Sequence, residues 1–421
     1  MAQKSVWMAA LWLGSGFTAE AAVRLVPQDY PRITDALAAS ADGDTISVAA
    51  GTYSPSTNGE VFPLLVASNV ALCGSGMQIS ILDAEGSASV LELRAPAPRV
   101  TGFTLRGGRG AQAGGLFVAE NTAPEVDHNL ILENGAYNLA SGALIGSGAN
   151  PHVHHNVFWS NYDLEPPSGG DPHGLYFSGA NGLVEHNLIG RGDSNGLHLN
   201  SSTVTIRNNI FYENGIPEVR GRGICAVNGA QPVIAHNLFH ENSIAALLIA
   251  PGVGDVSGTQ ANDLSDTDGM YGNLDADPLF LDVEEMNWAL SPGSPAIDAG
   301  DPASPRDPDG TLADVGPFYS PQSGAEDSVS RILTLSSAPN PFAGSTLFNV
   351  HVARRAHVRL AIFDITGREV ITLRHGVEEP GTHAIRWNGR SASGPPVAPG
   401  VYFARLDLGN ERVIRPILRV R

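Results

Sequence analysis

Eight residues of this 421-residue chain carry groups that move protons or grip polar ligands, and they fall in a common register: Asp171, His173, Tyr176, Asp193, Asn195, His198, Arg220 and Arg222. Imidazoles and carboxylates act as general acids and bases. Paired carboxylates cleave glycosidic bonds, and arginine forks hold the carboxylates of acidic sugars. Aligning the periods described below sets Asp171, Asp193 and Arg220 in one row. It sets His173, Asn195 and Arg222 in another. The insertion from Asn161 to His173 adds Asp163 and Glu165, and later periods add Glu213 and Glu218. Solvated turns also carry such residues, so the set reads either as a functional groove or as ordinary polar turns.

Two other chemistries are weaker. His128, His155, His186, Asn208 and His236 form a column in which stacked imidazoles could share a metal ion. They recur with the repeat itself and lack a second ligand type at fixed spacing. That points to structural stacking and no metal. Asp266-Thr267-Asp268-Gly269 and Asp307-Pro308-Asp309-Gly310 place acids beside a glycine as calcium loops do, but neither completes a twelve-residue loop. Both read as turns first; calcium is the one ion they would suit, and no other cofactor is implied.

The elements that must hold these residues follow from an internal repeat. The phrase Val126-Asp127-His128-Asn129-Leu130-Ile131 returns around Asn156, Asn187, Asn209 and Asn237, at spacings of 27, 31, 22 and 28 residues. A second phrase keeps step: Gly115-Leu116, Gly142-Ala143, Gly174-Leu175, Gly196-Leu197 and Gly223-Ile224. No single period can bury an apolar face, but stacked periods bury a continuous core. The asparagines predict a ladder. Asparagine tolerates the left-handed backbone of a sharp turn, and stacked amides hydrogen-bond to one another. Alternation along the Gly-Leu strands predicts inward columns headed by Leu116 and Val118. Between them runs an outward column of Phe117, Leu144, Tyr176, His198, Cys225 and Leu248. Its apolar character suits a partly covered groove, or packing under a loop.

These phrases resemble the right-handed β-helix family that includes pectate lyases, over about residues 24–318. Ile33-Thr34-Asp35-Ala36-Leu37 looks like the family's capping helix. Ala276-Asp277-Pro278-Leu279-Phe280 and Ser294-Pro295-Ala296-Ile297-Asp298 look like its C-terminal coils. Beyond them, Pro339-Asn340-Pro341-Phe342, Gly367-Arg368, Trp387-Asn388-Gly389 and Pro399-Gly400-Val401-Tyr402 are similar to Ig-like C-terminal modules of the hook-capping and type IX sorting kinds. The resemblance implies enzymes that act on polysaccharides in a groove along the parallel strands. Some lyases of that fold use a lysine base. The only lysine here is Lys4, in a segment expected to be removed, so that mechanism is closed.

Composition agrees with many short strands: 48 Gly, 29 Pro and 16% charged residues. Lys4, the apolar run Val6 to Phe17 and Ala19-Glu20-Ala21 read as a signal peptide. No later run is long and apolar enough to span a membrane. Cys73 and Cys225 are too few for a disulfide framework and read as unpaired thiols. Residues 331–421 hold 13 arginines and 6 acids, whereas the whole chain carries a net charge of −18. The body is therefore strongly acidic, which excludes a nucleic-acid partner for it.

The expectation is an all-β protein: a right-handed parallel β-helix (solenoid) followed by a small Ig-like β-sandwich. Its parts are a signal peptide at 1–22, the β-helix at 23–318, a linker at 319–331 and the sandwich at 332–421. Two functions remain open. One is a secreted or cell-surface monomer that binds polysaccharide or surface components without a complete catalytic site, with the C-terminal domain addressing secretion machinery. The other is a polysaccharide lyase or glycoside hydrolase.

Overall fold

Strands of three to five residues dominate the structure, because each repeat supplies only one or two inward apolar side chains before a turn. The computed structural model describes residues 21–165, 170–216, 221–249, 254–256, 260, 269–321, 333–338, 342–352, 356–364, 368–379, 381–392, 394–398, 400–408 and 411–419. The predicted signal peptide lies almost wholly outside these residues, as does most of the predicted linker. Contacts divide the chain between Ser320 and Pro321 into two compact units.

The first unit is a parallel β-solenoid with three long faces. A ten-stranded ladder sheet holds the strands that precede the repeated asparagines, such as Glu125–Asp127 and His152–His154. A nine-stranded flank sheet holds those that follow, such as Leu130–Leu132 and Val157–Trp159. A nine-stranded groove sheet holds the Gly-Leu strands, such as Leu116–Val118 and Leu197–Asn200. Val126, Ile131, Phe158, Leu175, Phe211 and Ile234 point inward and are buried in one continuous core. The helix Ile33–Ala39 buries Ile33 and Ala36 against the first coils, as its resemblance implied.

The ladder forms as expected. Asn156 Oδ1 accepts both the backbone N–H and the side-chain amide of Asn129, at 3.0 and 3.1 Å. The pattern repeats from Asn156 to Asn187, Asn209 and Asn237, and extends one step further to Asn273. One detail is corrected. The left-handed residues are those just before the ladder: His128, His155, His186, Asn208 and His236 have φ between 51° and 56°. The ladder asparagines instead work through side-chain bonds, because each amide must bridge two coils. A second ladder stands five residues on, where Asn134 bonds Asn161 and Asn214 bonds Asn242.

The predicted C-terminal coils are also corrected. After Leu274–Asp275 the chain stops coiling. Phe280–Asp282 and Asn287–Leu290 pair antiparallel, and the following residues pack on the outside of the flank sheet. The outward side chains Leu130, Val157, Trp159, Leu188 and Ile210 are apolar and need this cover. Trp288 meets Trp159 at 5.3 Å between centroids, and Asp301 N–H donates to Asn208 Oδ1 at 2.7 Å. Gly316, at φ 106°, brings its backbone so close that a Cβ there would sit 2.7 Å from Ile210 Cδ1.

The second unit has a three-stranded and a four-stranded antiparallel sheet. Its own core gathers Phe342, Phe348, Leu360, Trp387 and Leu406. Trp387 is fully buried and donates its Nε1–H to the Arg390 carbonyl at 2.9 Å. Among the described residues, no helix is long and apolar enough to cross a membrane.

Candidate functional site

The outward column of the groove sheet has the predicted register: Phe117, Leu144, Tyr176, His198, Cys225 and Leu248 are successive partners. The column is not uniform along the axis. Leu65 is 46% exposed at its N-terminal end, while Glu92 and Phe117 are half-buried. Arg94 is exposed beside them, pairs with Glu92 at 2.7 Å and lies 5.7 Å over the Phe117 ring. Leu144 and Tyr176 are buried in a small cluster with Ala113 and Ala140. Cys225 is buried too, and burial pushes its thiol up. Cys73 and Cys225 are both free thiols.

Sequence register brought His173, Asn195 and Arg222 together, and the structure places them on three adjacent coils. Asn195 Nδ2 donates to His173 Nδ1 at 3.3 Å, and Asn195 Oδ1 accepts the Arg222 N–H at 2.9 Å. Ser194 Oγ adds a bond to His173 Nδ1 at 3.0 Å. With Nδ1 accepting, the His173 proton sits on Nε2. The rings of His173, His198 and Tyr176 then stack, with His173 and His198 4.2 Å apart and Tyr176 and His198 4.9 Å apart. Asn200 donates to the Tyr176 hydroxyl at 2.9 Å and accepts from Asn228 at 3.0 Å, tying three coils together.

This environment fixes protonation. Burial, with neighbouring His198, holds His173 well below the usual imidazole range. Burial, with the Arg222 charge nearby, pushes His198 down to about 4. Both rings are neutral at pH 7. Arg222 is occupied by Asp255, with Nε to Oδ1 at 2.5 Å and a second bond at 3.1 Å. A helper in acid–base chemistry must reach substrate, yet His173 is 5% and Tyr176 6% exposed. Asn195, too, is buried. These three position the coils rather than face solvent.

The row predicted for Asp171, Asp193 and Arg220 is met differently. Arg220 and the Asp171 side chain lie outside the described residues. Asp193 Oδ2 instead accepts the Asp163 N–H at 3.1 Å, at the corner between flank and groove sheets. Burial raises the Asp193 carboxyl, against the lowering effect of that N–H. Asp163 is buried, its Oδ1 accepts the Glu165 N–H, and its Oδ2 has no partner among the described residues. Sequence alignment missed this Asp163–Asp193 pairing. The signal was present: Asn134, Asn161 and Asn214 follow the first ladder by five residues, and using them as a second anchor sets Asp193 level with Tyr162, next to Asp163.

The histidine column behaves as stacking predicts. His128, His155 and His186 stack at 5.0 Å between successive rings. Asp266 to Asp268 lie outside the described residues. Asp307 and Asp309 sit in a turn, where Asp309 Oδ1 accepts from Thr311, and burial beside Asp314 pushes the Asp307 carboxyl up to about 7.

Residues 97–262 match the family described as a right-handed beta helix region, and residues 336–408 match the FlgD Ig-like domain. Both are typical of extracellular or surface proteins, and the first fits carbohydrate-related or surface roles. No curated protein matches the chain. Among solved structures, dimeric latent PorU from Porphyromonas gingivalis aligns at 21% identity over 20% of this chain, with a TM-score of 0.19. The chain spans 9% of that PorU chain, and at this overlap the likeness carries no argument.

Proposed function

We propose that this protein is an exported, surface-acting β-solenoid that binds a glycan along the outer face of its groove sheet and does not turn it over. The observation that carries this reading is the division of the outward column. Its N-terminal end keeps Leu65 and Arg94 exposed, with Arg94 paired to Glu92 over the half-buried Phe117, whereas Leu144, Tyr176 and Cys225 at its centre are buried. A half-exposed aromatic flanked by a guanidinium and a carboxylate suits a sugar ring. The ring's apolar face meets Phe117, and its hydroxyls meet Glu92 and Arg94. His173 is sealed from substrate, His198 is partly buried in the ring stack, and Arg222 is spent on Asp255. In this reading the C-terminal unit serves sorting or attachment.

A panel of acidic and neutral glycans, screened for binding, tests the proposal. Phe117→Ala and Arg94→Gln should each weaken the best binder roughly tenfold, about 1.4 kcal/mol, as truncating a contact anchor does. Unchanged affinity in both variants removes this face from the account.

One observation favours the lyase or hydrolase reading. Asp193, raised by burial, stands against Asp163, whose Oδ2 is buried and free of partners among the described residues. Carboxylates whose environments differ can divide acid and base roles.

A further inference from the structure

The outer face of the ladder sheet carries a second polar cluster. Glu125 and His152 are register partners on adjacent coils. His154 lies two residues beyond His152, so it projects from the same face. One ligand atom from each of the three lies within 4.8 Å of the others. His154 Nε2 stands 3.3 Å from Glu125 Oε1, and the His152 and His154 rings are 4.1 Å apart between centroids. Tetrahedral zinc ligands at 2.0–2.2 Å from the ion stand roughly 3.4 Å from one another. The His154–Glu125 edge is already at that span, and His152 offers a ring nitrogen within 4.8 Å of both.

The surroundings hold these rings in place. His152 Nε2 meets Glu185 at 2.8 Å, and Glu185 is itself held by Arg207 at 2.8 Å. His154 Nδ1 abuts His155 Nδ1 at 3.0 Å, and His155 is stacked between His128 and His186. Outer partners of this kind orient metal-binding imidazoles. Asp127, two residues beyond Glu125, is taken up by Arg99, Thr101 and His128. Among the described residues one other set has comparable spacing: Glu213, His240 and Glu241. It offers a single imidazole, and its Glu213 is held by Arg191 at 2.7 Å, whereas Arg99 meets Glu125 more loosely at 3.6 Å.

We propose that Glu125, His152 and His154 bind a borderline divalent cation, zinc foremost, with a fourth position open to water. Two nitrogens and one carboxylate oxygen suit zinc and do not suit calcium or magnesium.

Calorimetric titration of the purified, metal-stripped protein with zinc chloride and calcium chloride decides it, comparing wild type with His154→Ala, Glu125→Gln and His240→Ala. The expected result is one zinc equivalent in the wild type and no calcium uptake. Affinity should drop at least about tenfold in His154→Ala and in Glu125→Gln, and stay unchanged in His240→Ala. Glu125 is only partly buried and stands outside the ring stack, so its variant reports on binding even if removing His154 disturbs the imidazole stack. Absence of zinc uptake by the wild type overturns the proposal. So does uptake that survives both ligand variants, or uptake lost in His240→Ala.

Discussion

Imidazoles that cannot take up a proton give this protein a measurable acid response. Burial pushes His198 to about 4 and His155 to about 3, while an unfolded histidine titrates near 6.5. Between those values the unfolded chain binds protons that the folded chain refuses, so stability rises with pH. The thermal midpoint should climb from about pH 4 to about pH 6.5 and then level off, and His198→Gln should remove part of that slope. A flat midpoint across this window would mean that the rings are solvated. Asp127 acts in a lower window. Burial opposes its charge, but Arg99, His128 and Thr101 hold its carboxyl well below the usual range, so its contribution fades only as pH falls below about 4. The ladder offers a test independent of charge. Asn156→Leu strands the backbone and side-chain N–H groups of Asn129 and removes the bonds Asn156 makes to Val126 and His154. Each buried orphan costs about 1–3 kcal/mol, so denaturant titration should show a loss of at least that size.

At the scale of elements, the segment that folds over the flank sheet acts as a lid on a two-sided apolar layer. Trp288 is 2% exposed and packs on Trp159. Trp288→Ala should cost about 3–5 kcal/mol, as large-to-small changes in a core do, with the loss read by chemical denaturation. A cost below about 1 kcal/mol would show that the cover is dispensable. This element also marks where sequence reading stopped. The repeat of Asn129 and its successors made the solenoid, its register and its inward columns legible, because stacking forces the same residue type at the same turn. The fold-back was not legible. Its phrases resemble further coils, and only the apolar outward residues Leu130, Val157 and Leu188 hinted that the flank sheet had a second partner. The site was half legible. Register set His173 beside Asn195 and Arg222, but sequence could not tell that the His173 and Tyr176 rings are buried, since burial depends on strands and turns from three coils at once. Glu125 and His152 went unnoticed although each stands immediately before its copy of the repeated phrase, because the phrase was read from the valine onward.

The whole molecule combines an acidic solenoid with a separate arginine-rich antiparallel unit. Far-UV circular dichroism of the intact protein should be β-dominated, with helix far below a quarter, because the solenoid needs only its one short cap. The claim that matters most is that the groove sheet binds without catalysing. It rests on the burial of His173 and Tyr176 at the centre of the column and the exposure of Leu65 and Arg94 at its N-terminal end. The direct measurement is to incubate the protein with the glycan it retains best and to quantify new reducing ends and new unsaturated ends over time. The account predicts retention with no release of either kind above a protein-free control. Steady release of either product, abolished by Asp193→Asn, would contradict it and establish Asp163 and Asp193 as the working pair.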